Sequence, residues 1–324
     1  MNYQCFDRGT DHCPCHLMEI SQCYTCSMTA GGKERCDCAD SWKGTCPYSE
    51  FVQRGRQREN FPAVREWKIL DRRDYDENLT VVRLTVSKGM AQKCSRPGTY
   101  VMAETLGYQI PLSILRCQYN GKDDWIEIVV QKIGPKSTAL LCETKKSWKL
   151  GGPFYGGLEN TEILDNSGFQ RELPPEKMPE SGEHGRPPFL VAVKGIAVAP
   201  FLNIRKQIEK KWNCEIFLDG SKLPEDFVEE YFGKSGFQKI SMKKDWESIA
   251  ELLVNRQGKS MLLASPYYTE KILHAQPNLR GKVIIANHAN ICCSVGVCGS
   301  CSHTDASGVT VRKCKCTECY TLPD

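Results

Sequence analysis

The sequence is 324 residues long, with 40% hydrophobic and 25% charged residues and a formal net charge of +4. This length exceeds the ~250–300 residues at which one hydrophobic core usually stops growing, so two or more domains are expected. The small charge, without blocks of like sign, predicts no nucleic-acid partner. No stretch approaches ~18 uninterrupted apolar residues and no signal peptide is visible, so we expect a cytoplasmic protein without a membrane span.

Nineteen cysteines are the unusual feature of the composition. In a reducing cytosol, clustered cysteines indicate metal ligands or redox groups before disulfides. Eight lie between Cys5 and Cys46, and seven lie between Cys292 and Cys319. The other four need no function, since cysteine is a common small core residue. They are Cys94, Cys117, Cys142 and Cys214.

Residues 1–58 form the first predicted unit, a cysteine-rich segment with too few large apolar side chains to build its own core. Metal binding would have to supply its order. Zinc and a [4Fe–4S] cluster are the alternatives for this metal, and the cysteine spacings do not decide between them. His12 and His16 are expected to be surface residues. The predicted ligands of this second site are Cys13, Cys15, Cys23, Cys26, Cys36, Cys38 and Cys46.

Residues 62–158 are expected to form an antiparallel β-barrel. Short segments with β-branched or alternating apolar residues follow one another, separated by turn residues such as "YNGKDD". Short strands at this spacing are typical of a barrel. The predicted strands are "EWKIL", "LTVVRLTV", "TYVMAE", "IPLSILRC", "WIEIVVQKI" and "SWKLGGP".

An α/β unit is predicted for residues 188–287, after a polar linker at 159–187 that is rich in Pro, Gly and Glu. Apolar strands alternate there with helical segments, from "FLVAVKG" and "APFLNIRKQIEKKW" to "KVIIAN". This alternation favours a doubly wound parallel sheet. The expected fold class is therefore multidomain: a β-barrel, then an α/β domain, with a small cysteine-rich segment at each end.

Residues 288–324 carry the most specific motif, "CCSVGVCGSC". Cys293, Cys298 and Cys301 have the C-x4-C-x2-C spacing of a plant-type [2Fe–2S] site. Gly296 and Gly299 allow the chain to bend closely around a cluster.

The fourth ligand of this site would follow a hairpin in "HTDASGVTVRK", with its turn at Asp305 and Gly308. Cys314 and Cys316 are both within reach, and we favour Cys314. Zinc also accepts four thiolates, but its usual pattern is two separated knuckles, so the spacing favours iron–sulfur over zinc.

The order of these units resembles the electron-transfer subunit of dihydroorotate dehydrogenase and its relatives in the ferredoxin–NAD(P) reductase superfamily. The resemblance covers roughly residues 62–316, and "CCSVGVCGSC" is its most specific piece. It implies an FAD-binding barrel, an NAD(P)-binding α/β domain and a [2Fe–2S] cluster.

Four stretches match the FAD site of that family: "RPGTYVMAE", "IPLSIL", "IGPKSTALL" and "LGGPFYGGL". Ile110 stands where many members carry an arginine, and Lys136 could replace that charge. The third stretch would hold the flavin pyrophosphate at a helix N-terminus. The FAD-binding residues that the resemblance implies are Pro97, Gly98, Pro111, Ser113, Gly134, Lys136, Ser137, Thr138, Gly152 and Pro153.

The nicotinamide site of the family resembles "VAVKGIAVAPFL", in which Gly195 and Pro200 match. Ala197 replaces a glycine that allows close approach to phosphate, and Ser265-Pro266 follow Ala264 where a Cys-Gly-Pro turn is common. These departures leave two alternatives open, a working NAD(P) site and none.

The resemblance implies an iron–sulfur flavoprotein that passes electrons between NAD(P)H, FAD and a [2Fe–2S] cluster, to or from a partner oxidoreductase. Flavin handles electrons in pairs and the cluster handles them singly. No acid–base dyad or nucleophile is apparent. An electron-transfer subunit without an NAD(P) site, and a zinc-stapled interaction protein on the same scaffold, are the alternatives.

Overall fold

The structure is a computed structural model. It describes residues 3, 5–8, 13, 15–29, 36, 46–57, 64–143, 145–164, 186–255, 258–305 and 307–316.

Six antiparallel strands close into a barrel, as the sequence predicts. Around the barrel they run in the order β1-β2-β5-β4-β3-β6. Its interior is filled by inward-facing apolar side chains that include Val82, Ile114, Ile128 and Trp148. The strands are β1 (Arg65–Asp74), β2 (Leu79–Thr85), β3 (Tyr100–Thr105), β4 (Tyr108–Gln118), β5 (Trp125–Gln131) and β6 (Ser147–Phe154).

Two short helices pack against the barrel, α3 (Lys88–Cys94) and α4 (Pro135–Cys142). Ser87 caps α3 by accepting a hydrogen bond from the backbone N–H of Met90. Gly134 and Pro135 begin α4, where proline is favoured because its missing N–H needs no partner. Both helices contribute buried residues to the barrel core.

The α/β domain is a six-stranded sheet in the order β10-β9-β8-β11-β12-β7. Five of the strands are parallel, as expected, and helices cover both faces. Strand β8 is apolar along its length because a parallel strand is buried on both faces. The elements are β8 (Pro188–Lys194), α5 (Ala199–Lys211), β9 (Asn213–Asp219), α6 (Glu225–Phe232), β10 (Gln238–Lys239), α7 (Met242–Asn255), β11 (Lys259–Leu263), α8 (Pro266–Ala275) and β12 (Ile284–Ala286).

The sixth strand, β7 (Leu158–Glu159), comes directly from the barrel and pairs antiparallel with β12. Asn160 continues the connection by donating from Nδ2 to the carbonyl of Val283 at 2.8 Å, and Leu164 is buried. The first residues of the predicted linker are therefore part of the folded structure.

One buried hydrophobic cluster spans the interface between the barrel and the α/β domain. Leu79, Val81, Leu115 and Val129 on the outer face of the barrel belong to the same buried cluster as Phe201 of α5.

Described residues of the N-terminal segment pack against those of the C-terminal segment. Helices α1 (His16–Glu19) and α2 (Pro47–Gln53) belong to the N-terminal segment, and β13 (Ser302–Thr304) and β14 (Thr310–Arg312) form the predicted C-terminal hairpin. The Asp305 carboxylate accepts backbone N–H groups within the hairpin turn. Within the described part of the chain, no helix is long and apolar enough to cross a membrane.

Candidate functional site

A cavity of about 650 Å³ lies where the barrel meets the α/β domain. Its walls come from β4, from the end of β5, from the turn that begins α4, from the β8–α5 turn and from the segment after β12. This volume falls in the range of small-molecule and cofactor sites.

The cavity contains half of the residues implied for FAD and nicotinamide. Those that line it are Pro111, Ser113, Gly134, Lys136, Ser137 and Pro200. The lining does not include Pro97, Gly98, Thr138, Gly152, Pro153 and Gly195. Gly98 instead supports the barrel exit, because its carbonyl accepts the N–H of Gly157 at 2.8 Å and a side chain would collide with Leu158.

The start of α4 forms one polar wall of the cavity. The Ser137 hydroxyl accepts the backbone N–H groups of Ile133 at 3.1 Å and Gly134 at 3.3 Å, so it stabilises the turn. Lys136 places its Nζ 5.1 Å from the centre of the Tyr108 ring. The backbone N–H groups of a first helical turn and this lysine suit an anion such as a phosphate.

Tyr100 and Asn287 are among the residues of the cavity wall that were not predicted from the sequence. Tyr100 is buried and stacks on Phe154, and its hydroxyl lies close to that of Ser294 in the cysteine loop. Asn287 donates from Nδ2 to the carbonyl of Gly156 at 2.7 Å and to that of Lys313 at 3.1 Å. An asparagine directly after a buried strand was the available signal for Asn287.

The C-terminal loop brings four predicted cysteines together. Hydrogen bonds link the Cys314 thiol to Cys293 and to Cys301, and a further one links Cys293 to Cys298. The hydrogen bonds from Cys314 lower the pKa of Cys293 and of Cys301, while the same hydrogen bonds raise the pKa of Cys314 and burial raises that of Cys298. Thiols of low pKa favour the thiolate form, which is the form that ligates metals.

Backbone N–H groups point at these sulfurs. Cys314 donates its N–H to Cys301 Sγ at 3.5 Å. Those of Val295 and Cys298 hydrogen-bond to Cys293, and that of Ser300 bonds to Cys298. The Cys298 side chain is exposed, whereas Cys301 and Cys314 are buried. Four thiols with N–H groups directed at them are the donors that a [2Fe–2S] cluster takes, although among the described residues no three such side chains have the arrangement of a single metal-ion site.

Cys316, the alternative fourth ligand, belongs to a different environment. It is fully buried and packs with Val311, Tyr3 and Tyr24. The structure therefore places Cys314 with the other three thiols and Cys316 against the N-terminal segment.

The cysteines of the predicted second site divide into buried and exposed groups. Cys13, Cys23 and Cys26 lie in one small core with Met18 and Phe51. Cys15 is half-buried, Cys36 and Cys46 are exposed, and Cys38 lies outside the described residues. In the described portion of the chain, no group of three or more Cys, His, Asp or Glu side chains has the arrangement of a metal-ion site.

At the carboxyl edge of the α/β sheet, the acidic side chain belongs to an ion pair and is not available to bind a ligand. Asp219, at the end of β9, pairs with Lys194 at the end of β8. The Asp219 carboxylate also accepts the Ser221 hydroxyl at 2.6 Å and the backbone N–H of Met242 at 2.8 Å. In dinucleotide-binding folds an acidic residue near this place binds the ribose, and here its oxygens are engaged internally.

Comparison with known proteins gives a likeness in fold only. No model of a known protein family matches the sequence. No curated protein matches it either.

Many solved structures are similar. The NADH-dependent reduced ferredoxin–NADP oxidoreductase studied for flavin-based electron bifurcation is 17% identical over 78% of this chain and 86% of that chain, with a TM-score of 0.53. Phthalate dioxygenase reductase is 12% identical over 80% of this chain and 97% of that chain, with a TM-score of 0.48. The ferredoxin–NADP+ reductase of Neisseria gonorrhoeae is 13% identical over 69% of this chain and 98% of that chain, with a TM-score of 0.45. The closed antiparallel barrel followed by an α/β domain is thus the ferredoxin reductase fold.

Proposed function

We propose that this protein is an electron-transfer iron–sulfur flavoprotein. The observation that carries the proposal is the shared wall between the cavity and the cysteine loop. Tyr100 lines the cavity and belongs to the same small core as Cys293 and Val295 of the loop. A flavin in the cavity and a cluster on the loop would therefore be neighbours, as electron transfer between them requires.

FAD is the cofactor that we assign to the cavity, within the barrel unit of residues 62–158. The start of α4 with Lys136 would hold the pyrophosphate, and the β4 residues Pro111 and Ser113 would lie along the flavin. Lys136 supplies a cation to a wall where Ile110 supplies none. FAD would exchange electrons in pairs, which the cluster passes singly.

The [2Fe–2S] cluster is assigned to Cys293, Cys298, Cys301 and Cys314, within residues 288–324. The exposed side chain of Cys298 marks the edge of the site at which electrons would leave for a partner oxidoreductase. The fold shared with the NADH-dependent reduced ferredoxin–NADP oxidoreductase agrees with such a role. A cytoplasmic location stays a prediction.

NAD(P)H is the proposed electron source, because Ile196, Ala197 and Pro200 of the β8–α5 turn line the flavin cavity. One observation favours the alternative of an electron-transfer subunit without an NAD(P) site. The Asp219 carboxylate is buried and bonded to Lys194, Ser221 and Met242, so binding a ribose would require these contacts to break.

The N-terminal segment of residues 1–58 is proposed to bind a second metal centre, zinc or an iron–sulfur cluster. The support is compositional: three of the residues in its small core are cysteines, so sulfur occupies much of the space that apolar side chains would fill. Iron and zinc analysis of the purified protein separates the two metals.

An anaerobic absorbance titration with NADH tests the proposed function. Flavin and iron–sulfur bands that bleach together would support electron entry from NAD(P)H. Bands that are present but do not respond to NADH or NADPH, and bleach with dithionite, would support the alternative subunit. Protein that contains zinc and neither flavin nor iron would contradict both and favour the interaction protein.

A further inference from the structure

The strand end that carries Cys314 also carries two buried lysines. Lys313 donates from Nζ to Glu159 Oε1 at 3.1 Å, which ties the cysteine loop to β7. Lys315 pairs with Asp7 of the N-terminal segment, 308 residues away in the sequence. Both partners of the second pair are nearly inaccessible, at 2% and 3% exposure. Well-packed apolar residues would often stabilise such a place equally well, so the pair indicates an electrostatic role.

Lys315 lies between two groups of thiols. On one side its charge acts on Cys314, and on the other side it acts on Cys5 and Cys15 of the N-terminal segment. The buried ion pair with the carboxylate of Asp7 holds the Lys315 ammonium in place. The site therefore contains a fixed buried cation next to the proposed fourth ligand.

We propose that Lys315 and Asp7 set the reduction potential of the C-terminal cluster site. The inference rests on the proposed [2Fe–2S] function and adds the N-terminal segment to that site. Each electron taken up adds negative charge beside Cys314. A neighbouring ammonium stabilises that charge and raises the potential, whereas a neighbouring carboxylate lowers it. The N-terminal segment, through Asp7, would then control the driving force of electron transfer.

Two isosteric substitutions in the full-length holoprotein test this inference. In an EPR-monitored redox titration, Asp7→Asn is expected to raise the midpoint potential, because it removes a negative charge and leaves the cation. Lys315→Met is expected to lower it. Gln22→Ala is the matched control, since Gln22 contacts Arg312 across the same interface at 2.9 Å without carrying charge. Its midpoint potential is expected to equal that of the parent.

Shifts of opposite sign in the two charge variants, with an unchanged control, would support the inference. Shifts of the same sign, or none, would overturn it and leave the proposed function standing, because the parent would still show its cluster. If Lys315→Met loses the cluster, Asp7→Asn decides alone: a rise supports the inference, and a fall or no change overturns it. A parent protein without any iron–sulfur signal contradicts the proposed function, and the inference fails with it.

Discussion

At the scale of single residues, neighbouring side chains lie in different surroundings in the alternating sequence Lys313-Cys314-Lys315-Cys316. Cys314 joins the loop thiols, and Cys316 packs with Tyr3 and Tyr24. Sequence spacing could not separate the two cysteines, because both lie within reach of the loop.

The two cysteines make a matched pair for mutation. We expect Cys314→Ser to abolish the EPR signal of the reduced [2Fe–2S] cluster, because a hydroxyl is a much poorer iron ligand than a thiolate. Cys316→Ser is expected to keep the signal. Loss of the signal in Cys316→Ser and retention in Cys314→Ser would reverse the ligand assignment.

Asp219 supports a prediction about stability. Burial on its own would raise the pKa of this carboxyl, but hydrogen bonds from Lys194, Ser221 and the backbone of Met242 outweigh it and lower the pKa. Asp219→Asn should therefore reduce the free energy of unfolding at pH 7 by about 2 kcal/mol. Glu229→Gln is the control, because its pair with Lys234 is exposed, and we expect a change of at most about 0.5 kcal/mol.

The pH dependence of this effect follows from its sign. The pKa of Asp219 is lower in the folded chain than in the unfolded chain, so its contribution is present above the unfolded value of about 4 and is lost as the pH falls through the folded value. In urea denaturation, the difference between parent and Asp219→Asn should narrow below about pH 4. A constant difference down to acid unfolding would show that the charge of Asp219 is not its source.

At the scale of elements, short sequence patterns predicted the strands, helices and turns that are formed by residues close together in the sequence. The strands of the barrel, the strand–helix alternation and the hairpin between Cys301 and Cys314 each follow from periodicity or turn residues within a short window. Strand β7, the wall position of Tyr100 and the Lys194–Asp219 pair depend on residues that meet only in the folded chain. A short sequence pattern does not indicate such contacts.

Helix α4 shows that a short sequence pattern does not predict which residues face a cavity, and it allows a prediction. Both Lys136 and Thr138 were expected at the flavin pyrophosphate, but only Lys136 lines the cavity, and Thr138 is exposed elsewhere on the helix. Lys136→Ala should weaken FAD retention about fivefold, which corresponds to about 1 kcal/mol for a partly exposed charge. Thr138→Ala should retain FAD like the parent. Equal retention in both variants, measured by flavin release on dilution, would place the pyrophosphate elsewhere.

Substitution of two glycines in the cysteine loop tests how the loop packs against the N-terminal segment. Gly296 and Gly299 have φ values of +80° and +72°, where alanine is strained by about 1 kcal/mol. A Cβ at Gly296 would lie 3.1 Å from Leu17 Cγ, but a Cβ at Gly299 would meet nothing closer than Ser302 Oγ at 3.5 Å.

Gly296→Ala should therefore lower the midpoint of thermal unfolding more than Gly299→Ala. The difference in unfolding midpoint between the two variants should become smaller in a Leu17→Ala background. The Leu17 side chain that the new methyl group would displace is absent there. An excess that persists without Leu17 would mean that α1 is not the element in contact.

At the scale of the whole molecule, the barrel and the α/β domain should unfold together because one buried cluster spans their interface. Leu115→Ala, on the barrel strand that faces α5, should reduce the free energy of unfolding by about 3 kcal/mol. Far-UV circular dichroism and tryptophan fluorescence should report one coincident transition in parent and variant. Two separate transitions would show that the domains unfold independently.

The contact between Lys315 and Asp7 also has a consequence for the order of folding. Asp7 and Lys315 are 308 residues apart in the sequence, so all of the chain between them must be synthesised before the two can meet. Contacts over such long sequence separations form late, because the intervening chain must first be ordered. The barrel and the parallel sheet can fold before Lys315 is synthesised, but the ion pair beside Cys314 can form only afterwards. Cofactor insertion at the completed site would therefore follow the folding of both domains.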